Sequence, residues 1–304
     1  MKDFILYSGS SNLPLAHEVA KILNISLGKV DLTRFADGEL RPWIQDDVRD
    51  KTVIILESFA YPMDEHIMEM VLMGDAIRRC APHSVIGVIP YMGYSRQDKL
   101  HRVGEPVSAR VIAKFLEISM FNEIISVDLH NDAIVGFFQI PMTHVSALET
   151  LAKEVKKLNV KNGIVISPDV GGVKRARNLA YLLDMPMVVM EKKRFLDKHD
   201  TSEAYQIIGD VNDKTAIIVD DIISTGGTIV NAADSLRQAG ATSVIVVATH
   251  GVLAGEAVEK LSHSQIERVI VTNSIDVPGD KKFEKLHIVS IAPVIANAIS
   301  ELVS

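Results

Sequence analysis

The sequence has little cysteine and no long apolar run. A single cysteine, Cys80, among 304 residues excludes an internal disulfide framework and any metal site built from several cysteines, and it favours a reducing compartment. No apolar stretch approaches the roughly 18 residues that a membrane span requires, and residues 4–7 are too short for the core of a secretion signal. We therefore expect a cytoplasmic protein with no membrane partner.

Positive charge is also scarce. The chain has 32 lysines and arginines against 39 aspartates and glutamates, which gives a formal net charge of −7. A nucleic-acid-binding protein needs a broad basic surface to neutralise phosphates, so the composition predicts no nucleic-acid partner. Any anion site must therefore be local.

What the chain does have is a regular alternation of short apolar runs and amphipathic stretches. The length favours two domains. Apolar runs without alternating polar residues predict parallel strands buried on both faces, and the amphipathic stretches between them predict helices. We expect an α/β fold with doubly wound sheets and place the boundary near residues 143–150, which gives domains 1–146 and 147–304. The apolar runs are 53–56, 85–89, 124–127, 164–166, 187–190, 216–219, 244–248 and 269–271.

Polar residues follow these runs, and in open α/β sheets ligands bind outside the carboxyl ends of the strands. The run 216–219 is followed by Asp220 and Asp221, and then by a stretch rich in hydroxyls and glycine that precedes an amphipathic helix. Glycines let the backbone approach a phosphate, and the N–H groups at a helix start point at an anion. The two carboxylates suit ribose hydroxyls. The hydroxyl and glycine stretch is Ser224, Thr225, Gly226, Gly227 and Thr228.

The alternative for this run is an ordinary turn, in which the glycines bend the chain and Thr228 caps the helix. The acid pair directly before the hydroxyl-rich stretch favours the ligand site. Another segment suits a nucleotide. Asp37 and Glu39, on either side of Gly38, suit hydrogen-bond donors of adenine or ribose, although a solvated acidic turn has the same pattern.

Four further segments carry candidate residues, each with a simpler alternative. Arg96 and Gln97 lie in a locally basic stretch that would attract phosphates, or would be a solvated loop. His130 and Asp169 each follow an apolar run and could contact a metal or phosphate, but a lone histidine is usually structural. The cations 192–194, followed by a polar stretch, are typical of a mobile lid or of a solvated face.

The run 219–228 resembles the phosphoribosyl pyrophosphate motif shared by type I phosphoribosyltransferases and ribose-phosphate pyrophosphokinases. Segments 35–39, 91–98, 128–130, 167–172 and 192–194 resemble pyrophosphokinase signatures in the same order, over nearly the whole chain. A type I phosphoribosyltransferase, which uses phosphoribosyl pyrophosphate, would not need the N-terminal segments. A non-catalytic regulatory relative would be expected to lose the cations or the acid pair. Ser224 replaces the Asp of many bacterial members, which bears on the subclass only.

The resemblance implies two type I phosphoribosyltransferase-like domains, with ATP on the N-terminal side and ribose 5-phosphate on the C-terminal side. It implies transfer of the β,γ-pyrophosphoryl group of MgATP to the C1 hydroxyl of ribose 5-phosphate, for nucleotide biosynthesis, by a homodimer or homohexamer. The implied residues are Phe35, Asp37, Gly38, Glu39, Arg96, Gln97 and Asp98 for ATP, Asp220, Asp221 and residues 224–228 for ribose 5-phosphate, His130 and Asp169 for Mg²⁺, and Lys192 and Arg194 for catalysis.

Overall fold

The computed structural model describes residues 3–100, 102–193 and 204–304. Contacts within the chain divide it into two units. Unit 1 consists of Met1–Ser146, Ser274–Asp276 and Ser290–Ser304, and unit 2 consists of Ala147–Asn273 and Val277–Val289.

Unit 1 is built on a five-stranded sheet in the order β1-β4-β5-β6-β7, in which every pair of neighbours is parallel. Strands β2 and β3 form a separate antiparallel hairpin. Strand β4 is buried along its whole length, as expected for a parallel sheet covered on both faces. The strands are β1 (Phe4–Ser8), β2 (Val30–Arg34), β3 (Leu40–Ile44), β4 (Thr52–Leu56), β5 (Ser84–Ile89), β6 (Glu123–Val127) and β7 (Met142–Val145).

The helices of unit 1 begin where their sequences provide a start. Helix α1 begins after Asn12, whose side chain accepts a hydrogen bond from the N–H of Leu15 at 3.2 Å. Helix α2 follows Pro62 and has Asp64 and Glu65 in its first turn, where negative charge interacts favourably with the helix dipole. The helices are α1 (Leu13–Ile22), α2 (Met63–Arg78), α3 (Ser108–Ile118) and, far along the chain, α8 (Ala292–Val303), with a 3₁₀ helix at Asp132–Phe137.

Unit 2 is built on a seven-stranded sheet in the order β10-β9-β8-β11-β12-β13-β14. Its neighbours are parallel except for β9 and β10, which are antiparallel. The strands are β8 (Gly163–Ser167), β9 (Met187–Lys193), β10 (Ala204–Ile208), β11 (Thr215–Ile223), β12 (Ser243–Gly251), β13 (Arg268–Thr272) and β14 (Leu286–Val289). The helices are α4 (Leu148–Lys157), α5 (Val173–Leu183), α6 (Gly227–Gln238) and α7 (Ala257–His263), with a 3₁₀ helix at Gly279–Lys281.

Alternate residues of the central strands of unit 2 pack on opposite faces of the sheet. Ile218 and Val246 belong to one buried cluster, whereas Ile217 and Val247 belong to a second cluster on the other face. Such strands contribute apolar side chains in both directions, which is why their sequences read as continuous apolar runs.

The α/β class with mainly parallel sheets is confirmed, and each of the eight apolar runs lies within a strand. Strand β11 is longer than the run 216–219 and continues to Ile223, so the acid pair lies in the strand and not after it. The reason is that β12 keeps pairing with β11 up to the partners Ile223 and Gly251. Six strands without such runs were not predicted, namely β1, β2, β3, β7, β10 and β14.

The chain passes from unit 1 to unit 2 between Ser146 and Ala147, and it later returns to unit 1. The sequence-based domain 147–304 therefore differs from unit 2 in its last residues. Helix α8 packs against α1 and β7, and it buries Ile295 and Ile299 there. No helix among the described residues is long and apolar enough to span a membrane.

Shortening a buried side chain of α8 tests which unit this helix stabilises. Ile299 is 1% exposed, so Ile299→Ala should lower the free energy of unfolding by about 2–4 kcal/mol through lost apolar contacts. Hydrogen exchange measured by mass spectrometry should become faster in β1 and β4 and stay unchanged in β11 and β12. The exposed Asn297→Ala serves as the control, and faster exchange confined to β11 and β12 would contradict the assignment.

Candidate active site

The ends of three neighbouring strands define the candidate site of unit 2. Strands β9, β8 and β11 are adjacent and parallel, so their carboxyl ends lie at one edge of the sheet. The strand order reverses here, because the chain proceeds from β8 outward to β9 on one side and from β11 outward to β12 on the other. Ligands of open α/β sheets bind at this switch point. Candidates from three separate segments lie at this edge: Lys192 in the last part of β9, the acid pair in the last part of β11, and Asp169 on the turn after β8.

The acid pair, Asp220 and Asp221, shares one cation. The Arg175 guanidinium on α5 lies 3.4 Å from an Asp220 carboxylate oxygen and 3.2 Å from an Asp221 oxygen. Asp221 is buried, whereas a quarter of the Asp220 side chain is exposed. Asp220 also accepts a hydrogen bond from the backbone N–H of Asp221 at 2.8 Å. One guanidinium thus faces two carboxyl groups, and the remaining acceptor capacity of Asp220 is available to a ligand from the solvent side.

This arrangement changes the protonation of Asp220. Burial and, second to it, the negative charge of Asp221 raise the pKa of Asp220 to about 8, although Arg175 opposes the shift. Asp220 therefore holds its proton near neutral pH in the free protein. A carboxyl group with a pKa close to the working pH can both accept a hydrogen bond and exchange a proton with a bound hydroxyl.

The anion loop, residues 224–228, follows directly on β11. Its Gly226 has a φ of 76°, a left-handed conformation that glycine adopts without steric cost, and α6 begins at the next residue with no side-chain cap. Two hydrogen bonds fix the start of the loop: the N–H of Leu253 donates to the carbonyl of Ile223, and the N–H of Ala254 donates to the carbonyl of Ser224. Among the described residues, the N–H groups of residues 225–228 have no hydrogen-bond acceptor. The loop thus presents a row of donors at a helix N-terminus, which is the geometry of an anion site.

Asp169 lies on the turn after β8 and is exposed. Its Oδ1 accepts a hydrogen bond from the N–H of Gly172 at 2.8 Å, and its carbonyl accepts from the Ser167 hydroxyl at 2.7 Å. The turn is therefore fixed from within. Among the described residues Oδ2 has no hydrogen-bond donor, so this oxygen can serve as a ligand for a cation.

Lys192 lies in the last part of β9, where its backbone pairs with Tyr205 of β10. A mobile lid or a solvated face was expected for residues 192–194, and the structure places Lys192 and Lys193 in a strand instead, because antiparallel pairing with β10 extends β9 to Lys193. Arg194 and the rest of the lid predicted after it, up to residue 203, lie outside the described residues.

In unit 1 the ATP candidates of residues 35–39 form the turn of the β2–β3 hairpin. The N–H of Phe35 donates to the carbonyl of Glu39 at 2.9 Å, and Gly38 has a φ of 95°. Phe35, Asp37 and Glu39 are all exposed, and the Arg41 guanidinium stands 5.6 Å from the centre of the Phe35 ring. The hairpin therefore presents an aromatic ring and two carboxylates together at the surface.

The first turn of α2 links this hairpin to the segment after β5. Arg34 donates to the Gly38 carbonyl at 2.9 Å and to the Glu65 carboxylate at 2.6 Å. Tyr94, in the segment after β5, donates its hydroxyl proton to the neighbouring carboxylate Asp64 at 2.5 Å. The structure thus joins residues 35–39 and residues 91–98 through α2, two candidate groups that are far apart in sequence.

Gln97, Asp98 and His130 belong to connected segments of unit 1. Gln97 accepts a hydrogen bond from the Ser108 hydroxyl at 2.6 Å, and Asp98 accepts one from the Asn131 side chain at 2.6 Å. Asn131 directly follows His130, so the ends of β5 and β6 are tied together. Arg96 and His130 are exposed. Exposure of these cationic and aromatic groups suits contacts with a phosphorylated ligand.

The described residues contain no cluster of three or more histidine, cysteine, aspartate or glutamate side chains that could enclose a metal ion. The predicted ligands His130 and Asp169 lie in different units. Mg²⁺ keeps several water molecules and is commonly held by one or two carboxylates together with substrate phosphates. The exposed Asp169 carboxylate fits that kind of site, and a site formed by protein ligands alone does not fit these residues.

Sequence analysis missed Arg175 and the residues that link the segments of unit 1. Arg175 follows Asp169 by six positions, within the first turn of α5, and its position after a strand end was a signal for an anion partner. Asp64 and Glu65 were read only as a helix start. Nothing in the spacing indicates that their carboxylates hold Tyr94 and Arg34.

Comparisons with known proteins cover nearly the whole chain. A family model described as the N-terminal domain of ribose phosphate pyrophosphokinase matches residues 4–119, and one described as the phosphoribosyl synthetase-associated domain matches residues 190–304. The chain is 40% identical over 297 residues to the ribose-phosphate pyrophosphokinase of Bacillus caldolyticus, with 98% of this chain and 94% of that protein covered. It is 41% identical over 298 residues to that of Bacillus subtilis strain 168, with 98% and 93% covered.

Among solved structures, the phosphoribosylpyrophosphate synthetase from Mycobacterium smegmatis matches with a TM-score of 0.93 at 37% sequence identity, and the match covers 99% of each chain. The likeness therefore extends to both units and is not confined to one of them.

The raised pKa of Asp220 makes a prediction about stability. A carboxyl group with a higher pKa in the folded protein binds its proton more tightly when folded, so its contribution to stability falls as the pH rises from about 4 toward the folded value of about 8. Asp220→Asn removes this loss. At pH 8 the free energy of unfolding of the variant should exceed that of the unchanged protein by about 2 kcal/mol, a value reduced because the carboxyl group is partly exposed. At pH 5 the difference should be much smaller.

Thermal unfolding across this pH range measures the difference between the two proteins. Asp184→Asn is the matched control, because Asp184 is an exposed carboxylate of the same unit in a left-handed conformation that asparagine tolerates. An equal gap at pH 5 and pH 8 would show that Asp220 is not protonated in the folded protein.

Proposed function

The chain belongs to the ribose-phosphate pyrophosphokinase family, and from that premise we propose which of its residues bind each substrate and which carry out the transfer. The family reaction moves the β,γ-pyrophosphoryl group of ATP to the C1 hydroxyl of ribose 5-phosphate, giving phosphoribosyl pyrophosphate and AMP for nucleotide biosynthesis. The proposal rests on one observation. At the switch point of unit 2, the acid pair is followed by a row of N–H groups that have no acceptor among the described residues.

Unit 2 is the ribose 5-phosphate side in this proposal. The 5-phosphate accepts hydrogen bonds from the N–H groups of the anion loop and from the hydroxyls of Ser224, Thr225 and Thr228. Ser224 supplies a neutral donor, so the loop adds no negative charge beside the phosphate. Asp220 and Asp221 accept hydrogen bonds from the ribose hydroxyls, and Arg175 holds the two carboxyl groups in place.

Unit 1 is the ATP side. The Phe35 ring stacks on the base of ATP, and Asp37 and Glu39 accept hydrogen bonds from that base. Arg96, Gln97 and Asp98 contact the nucleotide from the segment after β5. Support comes from the exposure of Phe35 and Arg96 and from the hydrogen bonds that fix both segments on the first turn of α2.

The transfer step is electrostatic in this proposal. The C1 oxygen attacks the β-phosphorus, and the bond from that phosphorus to the bridging oxygen of AMP breaks. Asp220 takes up the proton of the C1 hydroxyl in its ionised form, which a pKa of about 8 makes accessible near neutral pH. Lys192 and Arg194 stabilise the negative charge on the transferring group. His130 and Asp169 are the residues that would contribute to holding Mg²⁺, whose remaining ligands would be water and ATP phosphates, and the ion would supply positive charge for the phosphate oxygens.

A phosphoribosyltransferase reaction is the rival activity, since the anion loop and acid pair suit both. The match to full-length pyrophosphokinases and the exposed ring and cations of unit 1 favour the pyrophosphokinase. We also propose a homodimer or homohexamer that works in the cytoplasm, where the exposed free thiol of Cys80 would stay reduced.

The products of the reaction test the function directly. Purified protein incubated with Mg²⁺, ATP and ribose 5-phosphate should form AMP and phosphoribosyl pyrophosphate in equal amounts, because the whole pyrophosphoryl group moves in one step. Chromatography of the nucleotides and sugar phosphates measures both, with a reaction lacking ribose 5-phosphate as the control. Formation of ADP, or consumption of phosphoribosyl pyrophosphate with a free base, would contradict the assignment.

The role of Lys192 is tested by Lys192→Ala. Loss of one group that stabilises transition-state charge should lower kcat by about 10²–10³-fold, while KM for ribose 5-phosphate and the melting temperature change little. Lys193→Ala is the matched control, because it removes the same charge from the adjacent residue of β9, to which no role is assigned. If both variants lose activity equally, or if Lys192→Ala retains near-normal turnover, the specific role of Lys192 is wrong.

A further inference from the structure

Two glutamates, neither of them assigned to a substrate above, are buried together in unit 1. Glu57, directly after β4, is 0% exposed, and Glu69, on α2, is 3% exposed. Both face the turn between β1 and α1. A buried carboxylate is costly unless a cation or several donors compensate its charge, so the partners of these two groups decide their charge state.

The two carboxyl groups differ in their hydrogen bonds. Both oxygens of Glu69 accept: Oε1 from the backbone N–H of Ser10 at 2.5 Å, and Oε2 from the Ser10 hydroxyl at 3.0 Å. Glu57 accepts from Ser11, whose backbone N–H donates to Oε1 at 3.2 Å and whose side chain is a second donor, but Oε2 has no donor. These N–H donors lie in the turn before α1, where the positive end of the helix dipole also favours negative charge. The Ser10 donors serve both oxygens of Glu69, whereas the Ser11 donors leave one oxygen of Glu57 without a partner.

The remaining oxygen, Oε2 of Glu57, is buried and has no hydrogen-bond partner. It lies beside Glu69 at the Cα of Gly9, because a Cβ built on Gly9 would meet Glu57 Oε2 at 1.5 Å and Glu69 Oε1 at 2.8 Å. The space between the carboxyl groups and Gly9 cannot hold even a methyl group, so a hydrated cation has no room on that side. Two negative charges would face each other there.

No cationic side chain relieves this contact. In the part of the chain that the structure describes, neither glutamate has a lysine, arginine or histidine partner. The groups that face Glu57 are the Ser11 donors from the turn after β1 and the Glu69 carboxyl from α2. Burial, and second to it the charge of Glu69, raises the pKa of Glu57 well above its usual range, against the opposing hydrogen bonds from Ser11.

We propose that unit 1 carries a bound proton on Oε2 of Glu57, which donates a hydrogen bond to the Glu69 carboxylate. A proton is a counter-charge that needs no additional space, and it satisfies the oxygen of the pair that lacks a partner. The pair then holds a single negative charge, which the Ser10 and Ser11 donors match. Glu57 acts as a neutral acid and Glu69 as the ionised acceptor, so the two residues are not interchangeable.

The proposal predicts a loss of stability at alkaline pH. Because the folded state holds the proton of Glu57 more tightly than the unfolded chain, the contribution of the pair is fully present at low pH. It is lost as the pH rises through the folded pKa. Glu57→Gln places an amide N–H where the proton stands and cannot ionise. The melting temperature of this variant relative to the unchanged protein should therefore rise between pH 6 and pH 9, by about 4 °C or more.

Glu69→Gln distinguishes the proton donor from the acceptor. Glutamine puts a donor NH₂ group in place of one of the two oxygens that accept from Ser10, and it removes the charged acceptor for the Glu57 proton, so this variant should be less stable than the unchanged protein at every pH. Glu301→Gln, at an exposed position of α8 in the same unit, is the matched control and should show no pH-dependent gap.

A spectroscopic measurement completes the test without reference to stability. The infrared difference spectrum between the unchanged protein and Glu57→Gln at pH 7.5 should show the carbonyl band of one protonated carboxyl group, a band that the difference spectrum for Glu301→Gln lacks. The difference isolates Glu57 from the protonated Asp220 of unit 2. The absence of this band, or a pH-independent melting gap for Glu57→Gln, would overturn the proposal. A stabilising Glu69→Gln would overturn the assignment of donor and acceptor.

Discussion

The parallel pairing of β8 with β11 is the constraint on which the site of unit 2 depends. It aligns the ends of the two strands, and β11 continues past its last pairing with β8 at Ile218 because β12 supports it further. The acid pair is thus held rigidly in a strand, while the anion loop turns away at Gly226 into α6. A loop alone would not hold two carboxyl groups and a row of N–H donors in a constant relation. The hydrogen-bonded ladder does, and Arg175 reaches the pair from the helix that β8 leads into.

The two units each hold two acidic side chains in close contact, and they compensate the charge differently. In unit 2 the acid pair faces Arg175, and part of it reaches solvent. In unit 1 Glu57 and Glu69 are closed off and have no cation among the described residues. An exposed pair with a cation can exchange partners with a ligand, which suits a binding site. A closed pair exchanges with nothing larger than a proton, which suits a structural role.

Features of the fold and of the site that depend on neighbouring residues could be predicted from the sequence, whereas contacts between distant residues could not. The strands with apolar runs and the helices with a clear apolar face were predicted, because burial on both faces or on one face is written into local residue order. The anion loop was recognised because its glycines, hydroxyls and acid pair are contiguous. Arg175, the Glu57–Glu69 pair and the ties from α2 to Tyr94 and Arg34 were not, because each joins residues that are distant in sequence through side-chain geometry. The return of α8 to unit 1 has the same cause, since its apolar face does not reveal its partner.

That return has a consequence for synthesis. The ribosome releases the strands of unit 1 first, then all of unit 2, and only afterwards α8. Until then the face of α1 against which α8 packs is uncovered, whereas unit 2 has already emerged with every strand of its sheet. The half of the protein that is made first is therefore the last to be completed. Until α8 packs, this apolar surface is open to a chaperone or to a wrong partner.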